Sequence, residues 1–174
     1  MAKTKWALDL AHSEIQFKVK HMMIATVTGG FDKFDVQVAA ENDDFSDADI
    51  SFTAEAASIN TGSEQRDGHL KSADFFDAET YPEIKFEGTN YDAASGKLTG
   101  NLTIKGESHP VTLDVEFGGV GKDPWGNTKA GFTLSGKINR KDWGLNWNAA
   151  LETGGVLVSE DVRILGEIQL AKAA

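Results

Sequence analysis

The chain has no cysteine, only three prolines and a shortage of basic residues. Without thiols there can be no disulfide framework and no thiolate zinc site, and cysteine use says nothing about the redox compartment. Seventeen Lys and Arg stand against 27 Asp and Glu, a net charge of −10, which works against binding to nucleic acid or to an anionic membrane surface. Apolar runs of about 18 residues, the length a membrane helix needs, are also missing. The segment MAKTKWALDLAHSEIQF carries two lysines but no apolar stretch of the kind an export signal contains. These absences lead to the expectation of a cytoplasmic protein that is not membrane-embedded and does not bind nucleic acid.

Reactive motifs are scarce as well. None of the four histidines, His12, His21, His69 and His109, is spaced from another like a paired metal ligand, so no metal site is expected. No nucleophile elbow occurs, and the glycines of TGG and FGGVG lack the lysine and helix of a phosphate-binding loop.

What the chain has in abundance is alternation. Eight segments place apolar residues at every second position, the period of a half-buried strand. SEIQFKVKH sets Ile15, Phe17 and Val19 on one face, KFDVQVA sets Phe34, Val36 and Val38, and ADISFTAEA sets Ile50, Phe52 and Ala54. The pattern continues with Ile84 and Phe86, with Leu98, Leu102 and Ile104, and with Val111, Leu113, Val115 and Phe117. It ends with Phe132, Leu134 and Ile138, then Val162, Ile164, Ile168 and Leu170. Weaker strand signals lie in KWALDL and MIATVTGGF. Short, turn-rich spacings favour antiparallel neighbours. Only residues 60 to 81 leave room for helix, with start signals at Ser63 and Ser72, so one or two short helices are expected. One apolar face per strand and little helix to cover it leave a two-sheet sandwich or a closed barrel, in one domain spanning 1–174.

Gly88, Gly100, Gly136 and Gly166 fall in register with the inward residues. Glycine there either marks a bulge or bend, or leaves room for a ligand. A lining of Phe17, Val19, Phe34, Phe52, Phe86, Leu102, Ile104, Leu113, Val115, Phe132, Leu134 and Ile138 suits an elongated apolar molecule. Phe75 and Phe76 cannot both face inward from a strand. Residues 66 to 81, within a helical or loop segment at about 60–81, are therefore expected to form a lid. Its two rings either meet the tunnel or merely cap the core. Trp143 and Trp147 are further candidates for the lining or its rim.

Polar candidates for contact with a ligand head are His21, Arg66, His69 and Arg140. Arg66 and Asp67 could pair to hold the lid. Arg140, in register with Ile138, needs a partner if buried: a carboxylate would make it structural, a ligand oxygen an anchor.

The segments WALDLAHSEIQFKVKHM, TGGFDKFD, ASINTGSEQRDGHLKSADFFDAETYPEIKF, GKLTGNLTIKGESHPVTLDV, INRKDWGLNW and VRILGEIQL, in this order, resemble the YceI family of polyisoprenoid-binding proteins along nearly the whole chain. The resemblance implies an all-β fold with one or two short helices, a single lipocalin-like extended antiparallel β-barrel of about eight strands. It also implies a ligand, a polyprenyl chain or isoprenoid quinone held in a long tunnel for transport, storage or sequestration. Many members of that family carry a secretion signal, which this sequence does not show. No catalysis and no cofactor are expected. Carriage of fatty acids or similar amphiphiles is the alternative within binding. Outside it stands an enzyme for a small hydrophobic substrate, with Arg66, Asp67, His69 or Arg140 as the reacting shell. Edge strands would offer a route to a homodimer.

Overall fold

The alternating segments all become strands, and the two weaker signals do too. The computed structural model describes residues 3–22, 24–42, 44–145 and 158–172. Its strands are β1 (Thr4–Leu8), β2 (Glu14–His21), β3 (Ala25–Phe31), β4 (Phe34–Ala40), β5 (Asp49–Glu55) and β6 (Ile59–Asn60). After one helix, α1 (Glu64–Lys71), follow β7 (Glu83–Asp92), β8 (Lys97–Ile104), β9 (Glu107–Lys122), β10 (Thr128–Asn139) and β11 (Val158–Lys172).

Every pairing is antiparallel, and the sheet closes on itself because β11 pairs with β10 on one side and with β1 and β2 on the other. β1 and β2 lie end to end along β11, separated by a short 3-10 helix at Leu10–His12. The same break recurs twice. β3 runs into β4 through residues 32–33, and β5 runs through a 3-10 turn at Ala56–Ser58 into β6. Since β1 pairs with β4 and β4 with β5, while β2 pairs with β3 and β3 with β6, each couple acts as one bent stave. The result is an up-and-down barrel of eight staves in sequence order, three of them bent. The eight strong alternating segments correspond to one strand per stave, and KWALDL and MIATVTGGF supply the other halves of the first two.

Inward residues form two clusters. At one end Trp6, Val36, Val38, Ala40, Phe45, Ala130, Ile168 and Leu170 fill the barrel. Toward the other, Ile84, Phe86, Leu98, Leu102, Ile104, Val111 and Leu113 pack with Phe75, Trp143 and Leu145. α1 begins at Ser63, whose side chain accepts a hydrogen bond from the Arg66 amide. It stops at Ser72, which closes α1 instead of starting a second helix, its hydroxyl donating to His69 O at 2.5 Å. Among the described residues no helix is long and apolar enough to cross a membrane.

Asp9 fastens the first bend to the wall. Its amide donates to Gln169 O at 2.8 Å, and its carboxylate receives Lys129 Nζ at 2.8 Å with His12 Nδ1 2.9 Å from the same oxygen. Lys129, then His12, hold the Asp9 carboxyl down to about 2. A depressed carboxyl contributes stability that is present above its unfolded value, near 4, and lost as pH falls through the folded one. Asp9→Asn should therefore lose stability relative to the parent above pH 4, with the difference vanishing between pH 4 and 2. Urea unfolding midpoints measured across that range check this.

Candidate functional site

Between the two clusters lies a cavity of about 640 Å³, within the range of small-molecule sites. Its wall is apolar: Phe17, Val19 and Ile15 from β2, Ile50 and Phe52 from β5, Ile84 and Phe86 from β7, Val115 from β9, Leu134 and Ile138 from β10, Val162 and Ile164 from β11. Among the described residues no Asp or Glu side chain borders it, in a chain that carries 27 of them. A carboxylate facing such a wall would face a desolvation cost with no partner to offset it.

The floor is Phe45, a residue that sequence reasoning passed over because it sits in a loop among aspartates. Phe45 is 1 % exposed, and its ring centroid lies 5.0 Å from those of Trp6 and Phe132 and 5.5 Å from that of Phe117. Tyr91 is another missed lining residue. Alternation from Ile84 and Phe86 points it outward, but Thr89 is an extra residue in a bulge between Gly88 and Asn90, and the register turns Tyr91 in. Burial pushes its phenol up, with the Asp44 and Asp92 charges adding to the effect.

The opposite end is roofed by α1 and the turn after it. Ser63, Gln65, Arg66, His69 and Leu70 border the cavity, and so do both Phe75 and Phe76. The doublet manages this in a turn: the Phe75 amide donates to Ser72 O, the Phe76 amide to Leu70 O, and Asp77 takes a left-handed φ of 47°. Phe76 meets Phe31 edge-on at 6.0 Å, and Phe75 lies edge-on to the His69 ring at 5.1 Å. His69 Nε2 is 2.9 Å from Asp74 Oδ2. Arg66 and Asp67 do not pair with one another; both grip Thr61. Arg66 donates from Nε to Thr61 Oγ1 at 2.7 Å and from Nη2 to Thr61 O at 2.6 Å. Asp67 Oδ1 accepts from the Thr61 amide at 2.9 Å and from its hydroxyl at 2.5 Å.

Arg140 is 3 % exposed and borders the cavity at this end, beside His21. Main-chain carbonyls take up three of its N–H groups. Its Nε donates to Ser159 O at 2.9 Å, Nη1 to Leu145 O at 2.5 Å and Nη2 to Val158 O at 3.2 Å. The ladder between β11 and β2 slips between Val158 and Val162, and the guanidinium takes up main-chain carbonyls at that slip. Burial pulls its pKa down, opposed by the Glu160 charge. Among the described residues no cluster of three His, Asp or Glu side chains could hold a metal.

A sealed floor, a roof of helix and aromatic turn, and an apolar wall thus stand on a scaffold that comparison identifies. Residues 6–170 match the YceI-like domain. The chain belongs to the YceI family. A UPF0312 protein of Staphylococcus aureus strain N315 is 45% identical over 161 residues, covering 92% of this chain and 93% of its own. Among solved structures, the Campylobacter jejuni YceI protein superposes with a TM-score of 0.75 at 35% identity, covering 96% of this chain and 97% of that one. Burkholderia cenocepacia BcnA gives 0.77 at 26%, covering 93% and 98%. A polyisoprenoid-binding domain from Saccharophagus degradans gives 0.64 at 16%, covering 97% and 98%, and shares the fold.

Within this YceI barrel most of the residues read as tunnel candidates border the cavity: Phe17, Val19, Phe52, Phe75, Phe76, Phe86, Leu102, Ile104, Leu113, Val115, Phe132, Leu134 and Ile138. His21, Arg66, His69 and Arg140 border it too, all at the roofed end. Phe34 does not. It packs beside Phe52 at 6.1 Å, near the second bend, where both clusters press on it. Trp143 is buried behind the wall, its indole N–H donating to Leu102 O at 2.8 Å and its ring perpendicular to that of His109 at 5.3 Å. Trp147 lies outside the described residues.

The inward glycines do not leave room for a ligand. A Cβ on Gly100 would sit 2.4 Å from Glu87 O and 2.5 Å from the Phe86 ring, one on Gly136 2.4 Å from Leu113, and one on Gly166 2.8 Å from Leu134. Neighbouring side chains already lie across them, and Gly88 borders the bulge. Gly100→Ala should cost about 1–3 kcal/mol through overpacking against main chain. Gly131→Ala, where a Cβ meets nothing within 4 Å, should stay within about 0.5 kcal/mol of the parent. Denaturant unfolding of both variants is the measurement.

Proposed function

We propose that the protein binds an elongated isoprenoid lipid inside the barrel and carries or sequesters it, without performing chemistry on it. The observation that carries this reading is the 640 Å³ apolar cavity, sealed at Phe45, whose lining basic groups gather at the roofed end. An apolar chain would lie along the wall with its tail toward Phe45. A head with hydrogen-bond acceptors, a quinone oxygen or a phosphate, would rest near Thr61, Arg66, His69, His21 and Arg140. Membership in the YceI family supports the ligand class, as does the shared fold of the domain described as polyisoprenoid-binding.

Carriage is favoured over catalysis by what the polar groups are doing. Arg140 spends three donors on main-chain carbonyls and Arg66 spends two on Thr61, so both are committed to holding the roof and wall. A fatty-acid carrier would use the same wall with a carboxylate head.

Organic extraction of the natively purified protein followed by mass spectrometry should release a polyprenyl compound or isoprenoid quinone at close to one per chain. Fatty acid in its place would move the assignment to the second reading. An empty extract together with no uptake of added isoprenoid would refute binding, and recovery of an altered isoprenoid after incubation would refute a purely carrying role. Phe75→Ala and Phe76→Ala should speed release of bound lipid several-fold in a transfer assay, because both rings roof the cavity.

A further inference from the structure

Phe45 is held in a way that calls for a reason. Its φ is +62°, a left-handed conformation that is uncommon for any side-chain-bearing residue and costly for a bulky one. Such a conformation persists where the surroundings over-determine it, and here they do. The Asp47 carboxylate accepts the Glu41 and Asn42 amides at 2.8 and 3.1 Å, and Asp44 Oδ1 accepts the Ser46 amide at 2.9 Å. The Phe45 amide itself donates to Asn42 O, and its carbonyl accepts from the Ala48 amide, both at 3.0 Å. These bonds hold both carboxyls below the usual range. The loop between β4 and β5 is thereby clamped shape-first, and the shape drives one aromatic ring up the barrel axis.

That ring stands at this end of the cavity. Val36, Val38, Phe132, Ile168 and Leu170 border it here from strands, and Phe45 from a loop, while Trp6, its ring centroid 5.0 Å from that of Phe45, does not border it. Phe117 and Phe132, stacked at 5.0 Å, wall the plug from the side. From Phe132 beside the plug to Ile138 near the roof, six strand residues rise about 20 Å, or about 15 Å along the axis of a barrel with ordinary strand tilt. A tail lying straight in the cavity therefore meets a rigid stop and not a tapering wall.

We propose that Phe45 sets the length of chain the barrel holds. The proposal rests on the reading of the cavity as an isoprenoid site and adds the residue that selects among isoprenoids. A chain shorter than the stop leaves apolar wall unfilled. One longer must fold back or push its head past the roof and forfeit the polar contacts there. Each misfit methylene or methyl is the kind of difference that a close-fitting apolar pocket resolves by tenfold or more. Substituting the plug should move the optimum, and so should raising the floor from the wall. Ile168, opposite Phe132 in the ladder and bordering the cavity beside the plug, is the position for the second change.

The test is native mass spectrometry of the full-length protein offered an equimolar ladder of all-trans prenyl alcohols of increasing length, scored as relative occupancy. Phe45→Leu should shift the preferred length upward and Ile168→Phe downward, each changing the ratio between neighbouring lengths by about tenfold. Phe34→Leu, which loosens a packed aromatic off the cavity, should leave the preference where it is. An unchanged optimum in both cavity variants, with the ladder still bound, overturns the ruler while the isoprenoid reading stands. A shift of equal size in Phe34→Leu also overturns it, because general loosening would then account for the effect. Failure of every ladder member to bind the parent overturns both the ruler and the reading beneath it. Should Phe45→Leu fail to fold, the downward shift in Ile168→Phe alone decides the matter.

Discussion

Everything in the molecule depends on the ladder that joins its last strand to its first. β11 lends one edge to β10 and the other to β1 and β2 together, so the two ends of the chain are bonded side by side: Trp6 opposite Lys172, Leu8 opposite Leu170. Closing a sheet this way removes the row of unpaired amides that an open sheet would expose. It also forces every inward side chain to share one interior. Because the strands read apolar on that side, the interior is apolar by construction, and whatever it does not fill becomes a cavity with no polar escape except at the ends.

The two ends are finished by opposite means. One is stopped by a single strained aromatic ring held by carboxylates that accept main-chain amides. The other is finished by polar residues whose hydrogen bonds go mostly to the protein itself. Arg140 stabilises a slip in the strand ladder, and Arg66 with Asp67 staples Thr61 beneath the start of α1. Of the two cations only Arg140 is buried, and main-chain carbonyls replace the water it loses. Among the described residues the charged side chains that border the cavity are basic, in a protein whose total charge is −10.

The wall was legible in the sequence because alternation is a local property. Each strand announces its inward face, and once Phe17, Leu113 or Leu134 is placed on a face, closure sends it to the interior. The failures are where the chain breaks its own period. Tyr91 was hidden by the single extra residue at Thr89. The glycines left two readings open because the sequence shows that a side chain is missing but not that Phe86 or Leu113 has leaned into the gap. Phe34 alternates correctly but stands where its stave bends away from the cavity. Phe45 has no periodic neighbours at all, and only the clamp formed by Asp44 and Asp47 gives it a direction. Arg140 was recognised as needing a partner, and among its partners are the carbonyls of Leu145, Val158 and Ser159, which no spacing rule connects to it.

The three bent staves have a further meaning. Their breaks, at residues 10–12, 32–33 and 56–58, fall at one level on adjoining staves, since Ala7 faces Gln37, Gln16 faces Gly30 and Phe31 faces Ile59 across them. Below this crease β1 and β4 carry Trp6, Val36, Val38 and Ala40 fully buried, whereas above it no residue of β2 is. The crease thus sets the packed stretch of the first two staves, which carries Trp6 and Val38, apart from the stretch of β2 whose inward residues Phe17 and Val19 face the cavity. Anything that binds the folded barrel there and not the unfolded chain would raise its stability by mass action, so that loading would be read as a rise in the unfolding midpoint.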